Sequence, residues 1–195
     1  MKQFTSLRFT SLRFTFHVLR FTFQNHSSLK HLLKPMKELQ EILQEIQRLE
    51  KAGKRYAIAT VVKVSGSTYR GPGARMLVSE DGSTVGNISG GCLESDVIAN
   101  AKEVIATGKP RLVSYDTTAE EDIFWGTGLG CGGITHIFIE PQPLLQPFLK
   151  RVQQDIQHHQ PVTAATVFEV QGELPITPGS RLMVEGDSVV LNTIP

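Results

Sequence analysis

Two cysteines are the residues of this chain best suited to chemistry, and both are wrapped in glycine: Ser89-Gly90-Gly91-Cys92-Leu93-Glu94 and Gly128-Leu129-Gly130-Cys131-Gly132-Gly133. No third cysteine occurs. Glycine beside a thiol removes side-chain bulk, so backbone and sulfur can both approach a ligand closely. Two such motifs, using every cysteine in the chain, point to a site where sulfur is handled. The two cysteines are therefore expected to converge.

The first motif lies between a predicted strand and a predicted helix. Ser89 is the expected N-cap. The unpaired backbone N–H groups at that helix start would form an anion-binding nest. Cys92 would sit in the first helical turn, where the helix dipole favours thiolate. The competing reading is a tight turn with Cys92 as a small core filler. The second motif formally satisfies G-x-G-x-x-G, yet an acidic loop precedes it and an apolar strand follows, which excludes a dinucleotide fingerprint. Isolated cysteines with only His136 nearby give no C-x-x-C spacing, so a zinc site is weakly supported. What remains is a thiol-bearing loop that closes over a ligand, or a plain glycine-rich connection.

Arg70 and Arg75 flank Gly71-Pro72-Gly73, a stiff loop on which a guanidinium could meet a phosphate or carboxylate. Arg75 recurs as Arg181 in a second copy of its segment. That favours a structural role for Arg75, bonding loop carbonyls, and leaves Arg70 as the better ligand contact. The run Asp116, Glu120, Glu121, Asp122 reads as a solvated loop.

The elements that must position these residues follow from periodicity. Leu39, Ile42, Leu43, Ile46 and Leu49 predict an amphipathic helix over 36–52, closed by Gly53. Strands are predicted at Tyr56–Val64 and Arg75–Val78, with an Asp81-Gly82 turn after them. A helix runs from Leu93 to near Gly108, then strands at Arg111–Tyr115 and Thr135–Ile139. A helix over 144–159 and a strand at Val162–Val170 complete the list. The fold class is α/β, a mixed sheet with flanking helices.

An ungapped offset of 106 positions reveals a duplication. Ala59, Thr60, Val61, Val64, Gly66, Pro72, Gly73, Arg75, Val78 and Asp81 all recur as Ala165, Thr166, Val167, Val170, Gly172, Pro178, Gly179, Arg181, Val184 and Asp187. A strand–loop–strand unit thus occurs twice. Three regions are expected: a leader, 1–35; a first α/β domain, 36–142; and the start of a related but truncated unit, 143–195.

The leader repeats Phe-Thr-Ser-Leu-Arg and contains six basic and no acidic residues. Its best reading is a translated repeat ahead of a start at Met36, disordered and dispensable; its alternating Phe and Leu would also suit a strand. The remaining 160 residues hold 14 basic against 19 acidic side chains, leaving no basic stripe for nucleic acid. Hydrophobic residues make up 40% of the chain, enough for a packed core, and no apolar run reaches the roughly 20 residues of a membrane span. Two cysteines do not build a disulfide framework, so a reducing, cytoplasmic setting is expected.

Three stretches resemble the XdhC/CoxI family of molybdenum-cofactor maturation proteins. They are Gly66-Ser-Thr-Tyr-Arg-Gly-Pro-Gly-Ala-Arg-Met-Leu-Val78, Gly86-Asn-Ile-Ser-Gly-Gly-Cys-Leu-Glu94 and Trp125-Gly-Thr-Gly-Leu-Gly-Cys-Gly-Gly133, followed by Glu140-Pro141. The resemblance runs in family order through about residues 36–140. It implies a chaperone that binds molybdenum cofactor (molybdopterin) transiently, protects it during sulfuration and passes it to an apo xanthine dehydrogenase-like molybdenum hydroxylase. Family members usually continue into a Rossmann-type C-terminal domain, which is absent here. The cofactor-binding residues so implied are Arg70, Arg75, Ser89, Gly90, Gly91, Cys92, Glu94, Gly130, Cys131 and Gly132, with Cys92 and Cys131 as the metal contacts. A cysteine desulfurase and a second copy of the chain are further expected partners. A thiol-dependent sulfurtransferase and a non-functional remnant stand as alternatives; no nicotinamide, flavin or iron–sulfur motif supports a dehydrogenase.

Overall fold

The computed structural model describes residues 8–9, 12–21, 30–117, 132–158 and 162–195. Two compact units result, one spanning residues 30–143 and the other combining residues 144–195 with the described part of 1–29. The α/β class expected from periodicity holds. Every described ladder is antiparallel, where the sequence suggested a mixed sheet. The reason is topological: the second helix of the chain leads to an edge strand, and the chain then turns back on itself before meeting the central strand.

In the first unit, helix α1 (Lys30–Lys51) precedes strands β3 (Tyr56–Gly66), β4 (Arg75–Ser79) and β5 (Thr84–Gly86). Helix α2 (Glu94–Thr107), strand β6 (Arg111–Asp116) and strand β7 (Gly133–Pro141) follow. The sheet order is β5-β4-β3-β7-β6. β3 is central, and residues 56–62 along it are buried on both faces, which explains its run of Ala, Ile and Val rather than a polar alternation. Ala57, Ala59, Val61, Met76, Val78, Ile137 and Ile139 share a core with Val97, Ala101, Val104 and Ile105 of α2. Helix α1 buries Ile42, Leu43, Ile46 and Leu49 at the predicted spacing. Each such side chain contributes about 1.5–3 kcal/mol. Gly53 adopts φ 66° behind α1, the left-handed stop expected of it.

The second unit contains β1 (Arg8–Phe9), β2 (Leu12–Phe21), α3 (Gln142–His158), β8 (Val162–Gln171), β9 (Arg181–Glu185) and β10 (Ser188–Asn192), in sheet order β1-β2-β8-β9-β10. Residues 12–21, set aside above as part of a disordered leader, form β2 and pair along β8. Backbone pairing, not composition, decides the outcome. α3 buries Leu145, Leu149 and Val152 in this unit.

The duplication is real in three dimensions. Thr60 pairs with Arg75 as Thr166 pairs with Arg181, and Met76 pairs with Gly86 as Leu182 pairs with Asn192. Gly73 N–H donates to Val61 O at 2.8 Å; Gly179 N–H donates to Val167 O at 2.7 Å. Gly73 and Gly179 sit at φ 91° and 96°, a turn that only glycine adopts without strain. Arg75 Nη1 donates to Gly73 O at 3.2 Å, and Arg181 Nη1 to Gly179 O at 3.1 Å. The recurring arginine therefore braces the loop two residues behind it in both copies, as its recurrence suggested.

Among the described residues, no helix is long and apolar enough to cross a membrane.

Candidate functional site

The loop after β5 carries the first cysteine motif to the start of α2. Ser89 is not the N-cap of that helix; Leu93 is, with α2 beginning at Glu94. Cys92 thus precedes the helix instead of occupying its first turn. Its Sγ, half-buried, lies 3.6 Å from the Ser89 carbonyl oxygen, a weak thiol donor contact.

The anion nest read from the sequence exists, and the chain's own Glu94 fills it. Glu94 Oε1 accepts from the N–H groups of Ile88 at 3.2 Å, Ser89 at 2.9 Å and Gly90 at 3.1 Å. Oε2 accepts from Gly91 N–H at 2.9 Å and Leu93 N–H at 3.2 Å, and from the Ser89 hydroxyl. Ser89 Oγ in turn accepts from Leu93 N–H at 2.9 Å. Burial pushes the Glu94 carboxyl up, but the Ser89 hydroxyl and the N–H groups of Ser89 and Ile88 outweigh it, holding the group at about 2. Glu94 is the organising residue of the motif. Its place five positions after Ser89 was visible in the sequence; nothing there showed its side chain folding back over its own loop.

The geometry of the glycines follows. Gly90 adopts φ 83°, and a Cβ there would meet the Tyr69 ring at 2.5 Å, so that ring lies directly on the Gly90 backbone. Tyr69 remains 68% exposed. Gly91, at φ 123°, has open space where a side chain would be. The outcome is a narrow surface patch: an exposed aromatic ring, bare backbone, and a half-buried thiol beside a fixed carboxylate.

Arg70 does not lie free for a ligand. Its Nη2 pairs with Glu38 of α1 at 2.8 Å and its Nη1 donates to Asn87 Oδ1 at 2.6 Å. It ties the 66–74 loop to α1 and to the approach of the cysteine loop. A pterin phosphate would therefore have to displace Glu94 from the nest or Glu38 from Arg70, and the phosphate positions suggested by the sequence are already occupied. The soft-metal position does fit: Cys92 carries a thiol, and bare glycine backbone lies beside it.

Gly130 and Cys131 lie outside the described residues, so their convergence with Cys92 is not observed. Gly132, their neighbour, is described. Its carbonyl accepts from Ser67 N–H at 3.2 Å, and the Gly133 carbonyl accepts from Thr117 N–H at 2.9 Å. Gly133 packs so tightly that a Cβ would meet Ser65 O and Ser67 O, each at 2.6 Å. One loop, 65–70, thus touches the second motif's end at Ser67 and the first motif at Tyr69. Among the described residues, no three His, Cys, Asp or Glu side chains come together as a metal site.

Several known proteins resemble this chain. The model of the XdhC and CoxI family matches residues 49–116. A probable xanthine dehydrogenase subunit from Bacillus subtilis is 42% identical over 83 residues, covering 43% of this chain and 25% of that protein. The molybdenum cofactor insertion chaperone PaoD of Escherichia coli is 33% identical over 155 residues, covering 71% of this chain and 48% of that protein. A crystal structure described as a xanthine dehydrogenase from Bacillus halodurans superposes with a TM-score of 0.55 at 31% identity, covering 70% of this chain and 46% of that one. The chain spans about half, or less, of the length of these relatives.

Proposed function

We propose that this chain, whose residues 49–116 match the model of the XdhC and CoxI family, takes part in molybdenum-cofactor insertion, binding the cofactor and handing it to an apo molybdenum hydroxylase of the xanthine dehydrogenase type. The name of the PaoD relative supports the chaperone role, and that of the Bacillus subtilis relative supports the enzyme served. The cofactor is cargo here, held and released, and a cytoplasmic setting goes with that role.

The observation that carries the reading is Cys92: a thiol beside bare glycine backbone, under an exposed tyrosine, in a loop fixed by Glu94. The thiol is the chain's soft ligand for a metal-bearing guest. Tyr69 offers a flat face to a heteroaromatic ring. Glu94 holds the loop in shape and, as a fixed anion, discourages a phosphate from entering the nest. Cys131 is the proposed second sulfur, reached through the 65–70 loop that bonds Gly132. A cysteine desulfurase would supply sulfur to the bound cofactor.

The test is activation of an apo molybdenum hydroxylase supplied with cofactor and this chain. Cys92→Ser keeps size and polarity but removes the thiol, and its expected effect is a loss of most of the stimulation, with Cys131→Ser affected less. Equal stimulation by wild type and Cys92→Ser would refute a role for the sulfur.

A further inference from the structure

We infer that the face of the second unit's sheet turned away from α3 is a docking site for an amphipathic helix of a partner protein, one whose apolar stripe repeats that of α2.

The two sheets match strand for strand: β10-β9-β8-β2-β1 stands against β5-β4-β3-β7-β6. β7 pairs along β3 through Ala59↔Ile139 and Val61↔Ile137, then one residue bulges and pairing resumes at Lys63↔His136. β2 pairs along β8 through Ala165↔Val18 and Val167↔Phe16, then one residue bulges and pairing resumes at Glu169↔Thr15. Moved by the 106-residue offset of the duplication, the β3 and β8 positions coincide, bulge included. α3 precedes β8 as α1 precedes β3. Among the described residues, α2 alone has no counterpart in the second unit.

In the first unit α2 covers one face of the sheet. Its Val97, Ala101, Val104 and Ile105 pack with Ala57, Ala59, Met76 and Val78, sheet residues each at most 1% exposed. The offset turns those four sheet positions into Thr163, Ala165, Leu182 and Val184. Register puts these on one face: Leu182 pairs with Ala165, and Val184 with Thr163 and Val189. The surface that α2 packs on is kept. Ala165 and Val184 repeat the residues of the first unit, Leu182 for Met76 conserves volume, and only Thr163 adds a polar atom. The cover is not kept. Thr163, Ala165, Leu182 and Val184 are all partly exposed, and Val189 beside them is 60% exposed. α3 serves the opposite face, reached by the alternate residues of β9: Arg151 pairs with Glu185 at 2.6 Å, and Arg181 Nη1 donates to Leu144 O at 3.3 Å.

An apolar sheet face that retains the surface for a helix and lacks the helix is an interaction surface of the helix-docking kind. The described helices of this chain are already engaged, each burying its own apolar stripe: Ile42 and Ile46 in α1, Val97 and Ala101 in α2, Leu145 and Leu149 in α3. A second copy would bring the same engaged helices, so the occupant is another protein. Its recognition element is a helix with small or β-branched apolar residues at i, i+4, i+7 and i+8 and a polar opposite face.

The probe is a peptide of residues 93–108, carrying a fluorophore and locked as a helix by a link between positions 99 and 103, both exposed in α2. Without the link so short a helix is marginal in water. Binding to the full chain is read by fluorescence anisotropy, beside sedimentation of the chain alone. The expected result is saturable binding of one peptide per chain. Leu182→Asp or Val189→Asp in the protein, or Val97→Asp in the peptide, should weaken it about tenfold or more, because each buries a charge in the contact. Circular dichroism checks that the protein variants fold; Val189 is the more exposed, so its variant decides if Leu182→Asp does not fold. Absence of binding would overturn the proposal. So would binding that neither protein variant weakens, because the peptide would then sit elsewhere. A chain that dimerises alone and loses the dimer in Val189→Asp would also overturn it, because a second copy would then cover the face.

Discussion

Glu94 governs the site more than any residue that sequence reasoning placed at its centre. A carboxylate satisfied by a ring of backbone N–H groups fixes the loop that carries Cys92. Its carboxyl is held at about 2, below the ordinary 4.5. A carboxyl lowered by folding stabilises the protein above its unfolded pKa, and the contribution is lost as pH falls through the folded value. The loop should therefore be at full strength above about pH 5 and weaken progressively from there to about pH 2. Glu94→Gln cannot accept with both side-chain atoms, so it should cost about 1–2 kcal/mol near neutrality, solvent exposure keeping the loss small. It should also flatten this limb of the stability profile. Thermal denaturation across pH 2–7, wild type against Glu94→Gln, is the check; parallel profiles would contradict the assignment. The backbone nest beside Cys92 was legible from residue type and order. The occupant of the nest was not, because a side chain folding over its own backbone leaves no periodic signal. Arg70 was misjudged for a related reason: its partner Glu38 lies on α1, far away in sequence.

At the scale of elements, the amphipathic helices and the main strands were legible because their apolar spacing is strong. The duplication was legible because its turn chemistry repeats: Gly73 and Gly179 need the same backbone, and Arg75 and Arg181 brace it. Strand β5 is three residues long and was missed, since so short an element has no period to read. β2 was set aside on composition, although its pairing partner carries the matching bulge; long-range pairing is not written in local sequence. The junction between β3 and β7 gives a sharp test of local packing. Gly132 has open space around the missing Cβ, while Gly133 would drive one into Ser65 O and Ser67 O. Gly132→Ala should change stability by no more than about 0.5 kcal/mol. Gly133→Ala should cost about 1–3 kcal/mol, with faster hydrogen exchange at the Ser67 amide. Equal costs, read by chemical denaturation, would show that the close approach does not constrain this junction.

For the whole molecule, two units share one duplicated strand–loop–strand plan. The unit spanning 30–143 holds the XdhC and CoxI match, Cys92 and the glycine-bare patch; the other repeats its sheet, with residues 12–21 in the slot of β7. The family was readable from three motifs in order and the fold class from periodicity, while the detailed chemistry depends on which groups meet in space. The proposed role makes the molecule a carrier: its central property is possession of the cofactor, ahead of any turnover. The most direct measurement is anaerobic purification of the full chain from cells that make molybdenum cofactor, with molybdenum and pterin quantified on the same sample, beside Cys92→Ser prepared identically. The expected result is molybdenum and pterin together on the wild-type chain, with both strongly reduced on Cys92→Ser. Neither component on the wild-type chain, or equal amounts on the two proteins, would contradict it.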